Sequence, residues 1–543
     1  MDVALGALKG LQHSFLRIAY LGLAVAIVLA AYHEYLRLTS RVRRLPGPKG
    51  WPIVGNLFQV KGKPAYEIYR QWAQKYGPVF QVQFGNLPLV IINDAQSAHD
   101  LLVKQHSALI SRPVLYTFHQ SVNTIGEKVD ESGSSFAAFS IGTSPWDLST
   151  KRRRRAAATA LNIPATKSYA NILDFETREF VRELLEESDN GKHAIYLRPL
   201  IYHLSINMSL TLNYGTRLLT KDSPLFKEIF EVEKAISGFR STSENLQDFF
   251  PILRYLKNPF KKASSYARDI GDRRKAFNYK LLDELQARVS QNTDTPSIQS
   301  NVMRDPDAKL TRSELLGISL SIVAGADSST PTMGWVVAFL VRHPEWQERL
   351  YQELRAHRDA TSFEHNWGDA HEVEVPIVDA FIKEILRFYP PLRGGIPRAT
   401  YTDLPYGNAI IPPKTTALLN IWACNRDPSV FERPNDFIPE RWLKPENKAN
   451  LLHINYAFGL GARMCPASFL TYRLLYLTLV RLIWSFTLHP SPTSHPPEDD
   501  PILGATSTAA LGSPPDPYDV LLKPRDLVAL KEVLGEKPSS FGQ

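Results

Sequence analysis

Apolar positions along this chain fall into distinct patterns, each predicting a different kind of element. From Ile18 to Tyr32 no charged residue occurs, and Phe15, Leu16, Tyr35 and Leu36 extend that stretch to about the twenty residues a helix needs to cross a bilayer. Over 78–92 (Pro-Val-Phe-Gln-Val-Gln-Phe-Gly-Asn-Leu-Pro-Leu-Val-Ile-Ile) the pattern alternates and then runs apolar, with Asn86 at the break; this predicts a β-hairpin. From about 165 to 390 the spacing is mostly helical, as in the stripe Phe175, Phe180 and Leu184. Between Leu315 and Leu340 Asp327 is the lone charge, and a helix so apolar all round is a buried one. Residues 488–519 are rich in Pro, Ser, Asp and Gly, which predicts loops with short strands. No internal repeat interrupts this sequence of patterns.

The polar flanks of the first stretch orient it. Arg37, Arg41, Arg43, Arg44 and Lys49 follow it, whereas Lys9 and Arg17 precede it, so the positive-inside rule puts the downstream body in the cytosol. A cleaved leader ending near Val28-Leu29-Ala30 is the alternative; the basic residues on the C-terminal side and a cysteine-poor body favour a retained anchor. Leu45-Pro46-Gly47-Pro48-Lys49-Gly50-Trp51-Pro52 reads as a stiff linker, because proline fixes φ and resists helix. The expected organisation is a lumenal N-terminus over 1–14, a transmembrane anchor over 15–36, a basic and proline-rich linker over 37–56, and a globular body over 57–543.

Composition narrows the class. A chain of 543 residues with cysteine only at 424 and 465 has no disulfide framework and suits a reducing compartment. The charge of +8 is scattered and no RNA- or DNA-reading motif accompanies it, so no nucleic-acid role is expected.

The chemistry gathers at 458–465, Phe-Gly-Leu-Gly-Ala-Arg-Met-Cys, just ahead of Phe469-Leu470-Thr471-Tyr472, which reads as a helix start. Glycine lets backbone pass close to a large flat ligand. A cysteine at a helix N-terminus beside Arg463 has its thiolate favoured by the dipole and the guanidinium. A thiolate held in such a turn suits the axial position on haem iron, where its electron donation favours O–O cleavage; the plainer reading is a buried structural cysteine. The segment resembles the cysteine-ligand loop of the cytochrome P-450 monooxygenases, with Phe458, Gly459, Gly461, Arg463 and Cys465 in the family's places. One departure is Ala467, where the family usually has glycine. The resemblance implies a cytochrome P-450 fold, mostly α with a minor β region, behind an N-terminal transmembrane helix. It implies haem b ligated by Cys465 and contacted by Phe458, Gly459 and Arg463, with NADPH electrons arriving through an NADPH-cytochrome reductase. The general resemblance covers about 45–520.

Asp327 gains meaning beside that loop. A carboxylate in an apolar helix must act or be hydrogen-bonded; small residues (Ala324-Gly325-Ala326), hydroxyls (Ser328-Ser329) and Pro331, which frees the Asp327 carbonyl, predict a groove that holds water. The stretch resembles the family's acid–hydroxyl motif, so Asp327 and Ser328 are expected to deliver protons, with Ser328 lacking the β-branch of the usual threonine and Ser329 able to share the role. Glu384 and Arg387, three apart on one helix face, are common surface decoration by themselves. With Arg441 they match the family's buried triad beneath the haem loop. The run Lys151-Arg152-Arg153-Arg154-Arg155 follows Trp146; as charge alone it is a solvated face. The family's arrangement makes Trp146 and one basic residue haem contacts, and Thr150 stands where that residue is usual, so Arg153 is chosen and the others are expected to dock an acidic electron donor. Arg398 resembles a second propionate contact.

Four segments, 107–113, 141–147, 209–215 and 239–243, look like the fungal phenylacetate-hydroxylase group, a closer resemblance over roughly 105–260. Two pocket segments, 326–331 and 392–398, depart from that group's pattern. The expected reaction is therefore insertion of one oxygen atom from O2 into an aromatic or polyketide-like molecule in secondary metabolism. Ring hydroxylation of phenylacetate or 3-hydroxyphenylacetate is the alternative. A haem sensor or carrier without turnover would tolerate loss of the acid–hydroxyl pair and the basic patch, and both are present. The pocket wall is expected from 106–145, 235–260, 392–398 and 503–516.

Overall fold

A computed structural model of the chain describes residues 2–122, 131–240, 245–255, 260–356, 375–444, 456–507 and 512–535. Its longer helices, numbered in chain order, are α1 (Asp2–Thr39), α2 (Ala65–Tyr76), α3 (Leu148–Ala160), α4 (Ala170–Glu187), α5 (Arg198–Tyr214), α6 (Pro224–Phe239), α7 (Phe260–Gln291), α8 (Arg312–Val323), α9 (Ala326–Arg342), α10 (Pro344–Ala356), α11 (Pro376–Phe388) and α12 (Ser468–Ser485). The hairpin forms as its alternation predicts, β1 (Val79–Phe84) against β2 (Leu87–Ile92), with Gly85 and Asn86 between them. Two further strands, β4 (Arg398–Ala399) and β7 (Thr416–Leu419), complete a sheet of order β1-β2-β7-β4, in which β7 runs parallel to β2, while β5 (Leu404–Tyr406) and β6 (Ala409–Ile411) pair separately between them in sequence. The tail supplies β8 (Phe486–Pro490) and β9 (Asp519–Pro524), which pair with β3 (Ala194–Tyr196).

The helical core is built from elements buried on nearly every face. In α5 all residues from Leu200 to Tyr214 are buried, and α9 and α12 pack in the same core through Trp335, Phe339, Leu475 and Leu482. Leu315–Leu340 does not form one unbroken helix. Ala324 (ψ −10°) and Gly325 separate α8 from α9, with three-residue hydrogen bonds from Gly325 N to Ile322 O (2.9 Å), Asp327 N to Ala324 O (3.3 Å) and Ser328 N to Gly325 O (3.1 Å). Such tightening shifts the register of the helix. The break therefore precedes Asp327 and lies at the small residues, whereas Pro331 sits inside α9.

In α1, the stretch Ser14–Thr39 is long and apolar enough to cross a membrane, and Ile18, Leu21, Ile27 and Val28 point outward. The segment that follows is no free linker. Val42 and Leu45 are buried, Gln81 accepts from Val42 N (2.9 Å) and donates to Val42 O (2.8 Å) and Leu45 O (2.6 Å), and Gln83 donates to Arg37 O (2.6 Å). Buried side-chain amides on β1 thus bind the proline-rich chain, because its carbonyls need donors once water is excluded.

Candidate active site

Cys465 sits at the end of a loop that precedes α12. Its N–H donates to Phe458 O (2.9 Å), closing the loop on itself, and Gly459 and Gly461 take φ of +74° and +65°. Those values favour glycine. At Gly461 there is a second reason: a Cβ would collide with the carbonyl oxygen of Leu102. The sulfur faces a cavity of about 330 Å³ whose wall also includes Phe458, Gly459, Arg463 and Ala467. Burial pushes the Cys465 thiol pKa up, while the Ala467 N–H and the Arg154 guanidinium oppose that shift. The arginine beside the sulfur is thus Arg154 and not Arg463. Arg463 turns the other way, donating to the carbonyls of Ile110 (3.2 Å), Ile141 (3.2 Å) and Ser144 (2.9 Å).

Five arginines line the same cavity, Arg240 and a group of four: Arg112, Arg154, Arg398 and Arg463. The pKa values of these four are all lowered, first by burial; Arg154 and Arg398 weigh on Arg463, Arg154 on Arg398, and both on Arg112. Arg398 falls to about 9. Nε of Arg112, Nε of Arg463 and one terminal nitrogen of Arg398 are buried with no hydrogen-bond partner. Among the described residues of the wall, Asp327 is the lone carboxylate. Buried guanidiniums with unmet donors and no acid among them call for an anionic ligand. The two propionates of a haem held by Cys465 would meet that need, so the residues present suit the cofactor.

Arg153 does not reach this cavity. It is fully buried, with its guanidinium held by Phe139 O, Phe136 O (3.1 Å) and the hydroxyls of Ser149 (3.2 Å), Ser144 (3.3 Å) and Thr150 (3.0 Å). The periodicity of α3 explains the correction: Ser149, Thr150, Arg153, Ala156 and Ala157 form its buried face, and Arg154, one step round, meets the cavity. Trp146 is half-buried outside the wall, its backbone N–H donating to Ser111 Oγ (3.0 Å). Lys151 and Arg155 are exposed, and Arg152 pairs with Glu314 at 2.8 Å.

On another stretch of the wall, α9 presents Asp327, Ser328, Ser329 and Thr332. Ser328 and Ser329 hydroxyls donate to Gly325 O (2.9 and 3.2 Å), and Ser329 also bonds Ser205 (3.1 Å). Asp327 lies 3.5 Å from Arg240, with its Oδ2 lacking a hydrogen bond. Its carboxyl is pushed up to about 7, first by burial and then by Glu233, against Arg240 and Arg274. His119, buried on the same wall, is satisfied at both nitrogens by Leu115 N (3.0 Å) and Thr143 O (3.1 Å), and burial lowers it to about 4.

Behind the loop, Glu384 is fully buried and bidentate to Arg387 (2.8 and 2.7 Å); it also accepts from Arg441 (3.2 Å), Trp442 Nε1 (2.9 Å) and Ile438 N (2.8 Å). Arg387 donates onward to Asn425 O, Pro434 O and Asp436 O.

The wall draws on three of the four expected segments in part, at 112–143, 237–240 and Gly512, and on all of 392–398 except Arg393 and Gly394. Residues 123–130, 241–244, 256–259 and 508–511 lie outside the described residues, and with them much of segment 239–243. Arg112 and Arg240 fall within the expected wall segments, though sequence reading assigned neither a role, and the α5 residues Ser205, Met208 and Leu212 lie outside every expected wall segment.

A family model described as cytochrome P450 matches residues 45–522. The chain is 37% identical over 527 residues to a 3-hydroxyphenylacetate 6-hydroxylase of Emericella nidulans, covering 97% of this chain and 98% of that one. It is 38% identical over 527 residues to a phenylacetate 2-hydroxylase of the same organism (95% and 97% covered). A cytochrome P450 monooxygenase of Mycosarcoma maydis is 39% identical over 509 residues (92% and 90%).

Proposed function

Because this chain belongs to the cytochrome P450 family, whose members bind haem and receive electrons from a reductase, we propose that it is a monooxygenase of the endoplasmic reticulum membrane, with its body in the cytosol, oxidising an aromatic or polyketide-like molecule in a biosynthetic tailoring step. One oxygen atom enters the substrate and the other leaves as water, with two electrons from NADPH and two protons consumed. The observation that carries this reading is the arrangement of one wall: Cys465, four acid-free arginines, and the Asp327–Ser328 pair facing a common cavity. Haem b, when bound, supplies the redox centre that activates dioxygen.

The chain's own residues divide the remaining work. Cys465 is the thiolate ligand, held by the Phe458 carbonyl and the Ala467 N–H. Phe458 and Gly459 set how closely backbone approaches the macrocycle. Arg112, Arg154, Arg398 and Arg463 receive the propionates. Asp327, with a carboxyl near pH 7, gives up and regains a proton at working pH, and Ser328 relays it through the hydroxyl that now rests on Gly325 O. Glu384, Arg387 and Arg441 hold the polypeptide beneath the loop, and exposed Lys151 and Arg155 offer an acidic reductase a docking face.

A second reading is ring hydroxylation of an arylacetic acid. Two full-length relatives bear the names of such hydroxylases. The carbon-monoxide difference spectrum of the reduced protein, followed by turnover with a reductase under labelled dioxygen, tests both. A thiolate-type Soret band and one labelled oxygen per product molecule are expected. Haem-replete protein without that band, or with the band but no NADPH consumption on any aromatic substrate, would favour a sensor or carrier.

A further inference from the structure

The cavity has two separate regions of positive charge. The first is the four-arginine cluster near Cys465, whose charge two propionates would offset in part. The second is Arg240, which caps the C-terminus of α6 and lines the wall beside Asp327. Its pKa is lowered first by burial and then by Arg274, with Asp327 and Glu233 opposing. None of the four cluster arginines shifts it, so the two regions are electrostatically distinct.

Arg240 is poorly compensated. Glu233, the nearer formal acid on its own helix, is held bidentate by Arg274 at 2.6 and 2.8 Å. That leaves Asp327 at 3.5 Å, well beyond the roughly 2.7–2.9 Å of a good charge-assisted bond. Arg240 Nε and Asp327 Oδ2 are both buried without a hydrogen-bond partner, although they belong to side chains of opposite charge in contact. A pair built for each other would close that gap. The guanidinium also lies 5.3 Å from the ring centroid of Phe118, and the wall continues through apolar Met208, Leu212 and Ile322. A planar fork with free donors, beside an aromatic ring in an apolar chamber, suits a small aromatic anion.

We propose that Arg240 receives the carboxylate of an organic-acid substrate, which displaces Asp327 as its partner. This rests on the monooxygenase reading and narrows its substrate class to an aromatic acid. It also makes Arg240 a specificity residue: a neutral substrate would leave its donors unmet, whereas a carboxylate supplies two acceptors in the plane of the fork.

The test uses the full-length protein in microsomes. Binding is read from the high-spin shift of the oxidised haem on adding phenylacetate or 3-hydroxyphenylacetate, and their neutral amides. Wild-type protein is expected to bind the acids more tightly than the amides. Arg240→Gln should weaken the acids by about thirtyfold and leave the amides within about threefold. Asp327→Asn, which removes the competing carboxylate without emptying the site, should tighten the acids severalfold; if Arg240→Gln fails to hold haem, this variant decides. Equal affinity for acids and amides, unchanged acid binding in Arg240→Gln, or no tightening in Asp327→Asn would overturn the proposal. So would a normal thiolate-type band in wild type without response to either acid, which leaves the monooxygenase reading standing. Absence of that band in wild type would instead remove the monooxygenase reading and this proposal with it.

Discussion

At the scale of single residues, the site depends on a few groups whose environments are set by neighbours distant in sequence. Cys465→Ser should fold and lose the thiolate-type carbon-monoxide band, since a hydroxyl cannot supply the sulfur's donation; a normal band in that variant would remove Cys465 as ligand. Asp327 is different, because its role is a protonation state. Burial and Glu233 raise its carboxyl to about 7, so its acid form is present below that pH and lost above it. If Asp327 donates the proton that limits turnover, the rate should fall as pH rises through about 7. Asp327→Asn should flatten that limb, slow product formation by about a hundredfold or more and leave the haem spectrum unchanged. A wild-type profile that is flat from pH 6 to 8 would argue against this role. Arg154 shows how local geometry chooses between adjacent identical residues: within five basic side chains, the angle around α3 alone decides which meets the cavity and which is consumed by the Phe136 and Phe139 carbonyls.

Elements add constraints that no residue carries alone. The cysteine loop packs against the chain at Leu102, and Gly461→Ala should force one of them to move. The expected outcome is weaker haem retention with little change in helix content, read by absorbance and circular dichroism. Beneath it, Glu384 joins α11 to the turn Pro439–Trp442. Substituting Glu384 by Gln leaves two buried guanidiniums without their shared anion, a loss of about 3–5 kcal/mol. Thermal unfolding should shift down accordingly, and a variant as stable as wild type would show the triad to be dispensable. The join between α8 and α9 is also an element-scale feature. Proline was the obvious breaker in that stretch, yet the chain turns at Ala324–Gly325, where small side chains permit three-residue hydrogen bonds. Pro331 is tolerated within the first turns of α9, close enough to its start that few bonds are forfeited.

For the whole molecule, the relation of the N-terminal apolar helix to the body is testable by truncation. Deleting residues 1–32 should release a protein with an unchanged thiolate-type band. Deleting residues 1–46 removes Val42 and Leu45 from the core, at about 1.5–3 kcal/mol each, and strands the Gln81 amide, so that protein should unfold several degrees lower; equal melting temperatures would mean that 37–46 contribute nothing. The boundary between apolar helix and folded body therefore belongs nearer residue 37 than the proline-rich motif suggests. Other features of the molecule were legible beforehand because they depend on neighbours in sequence. Apolar run length specified a helix long enough to cross a bilayer, alternation specified the β1–β2 hairpin, and the close spacing of glycines, Arg463 and Cys465 pointed to the family. What the sequence by itself determined was thus the chemistry available and the local shapes that carry it. Tertiary structure alone decided which arginine faces the cavity, that Arg463 turns from the sulfur while Arg154 approaches it, and that Asp327 meets Arg240 across the chamber. Those choices depend on which face of each helix is buried and on which charges lose their water together, and both are set by packing between segments far apart along the chain.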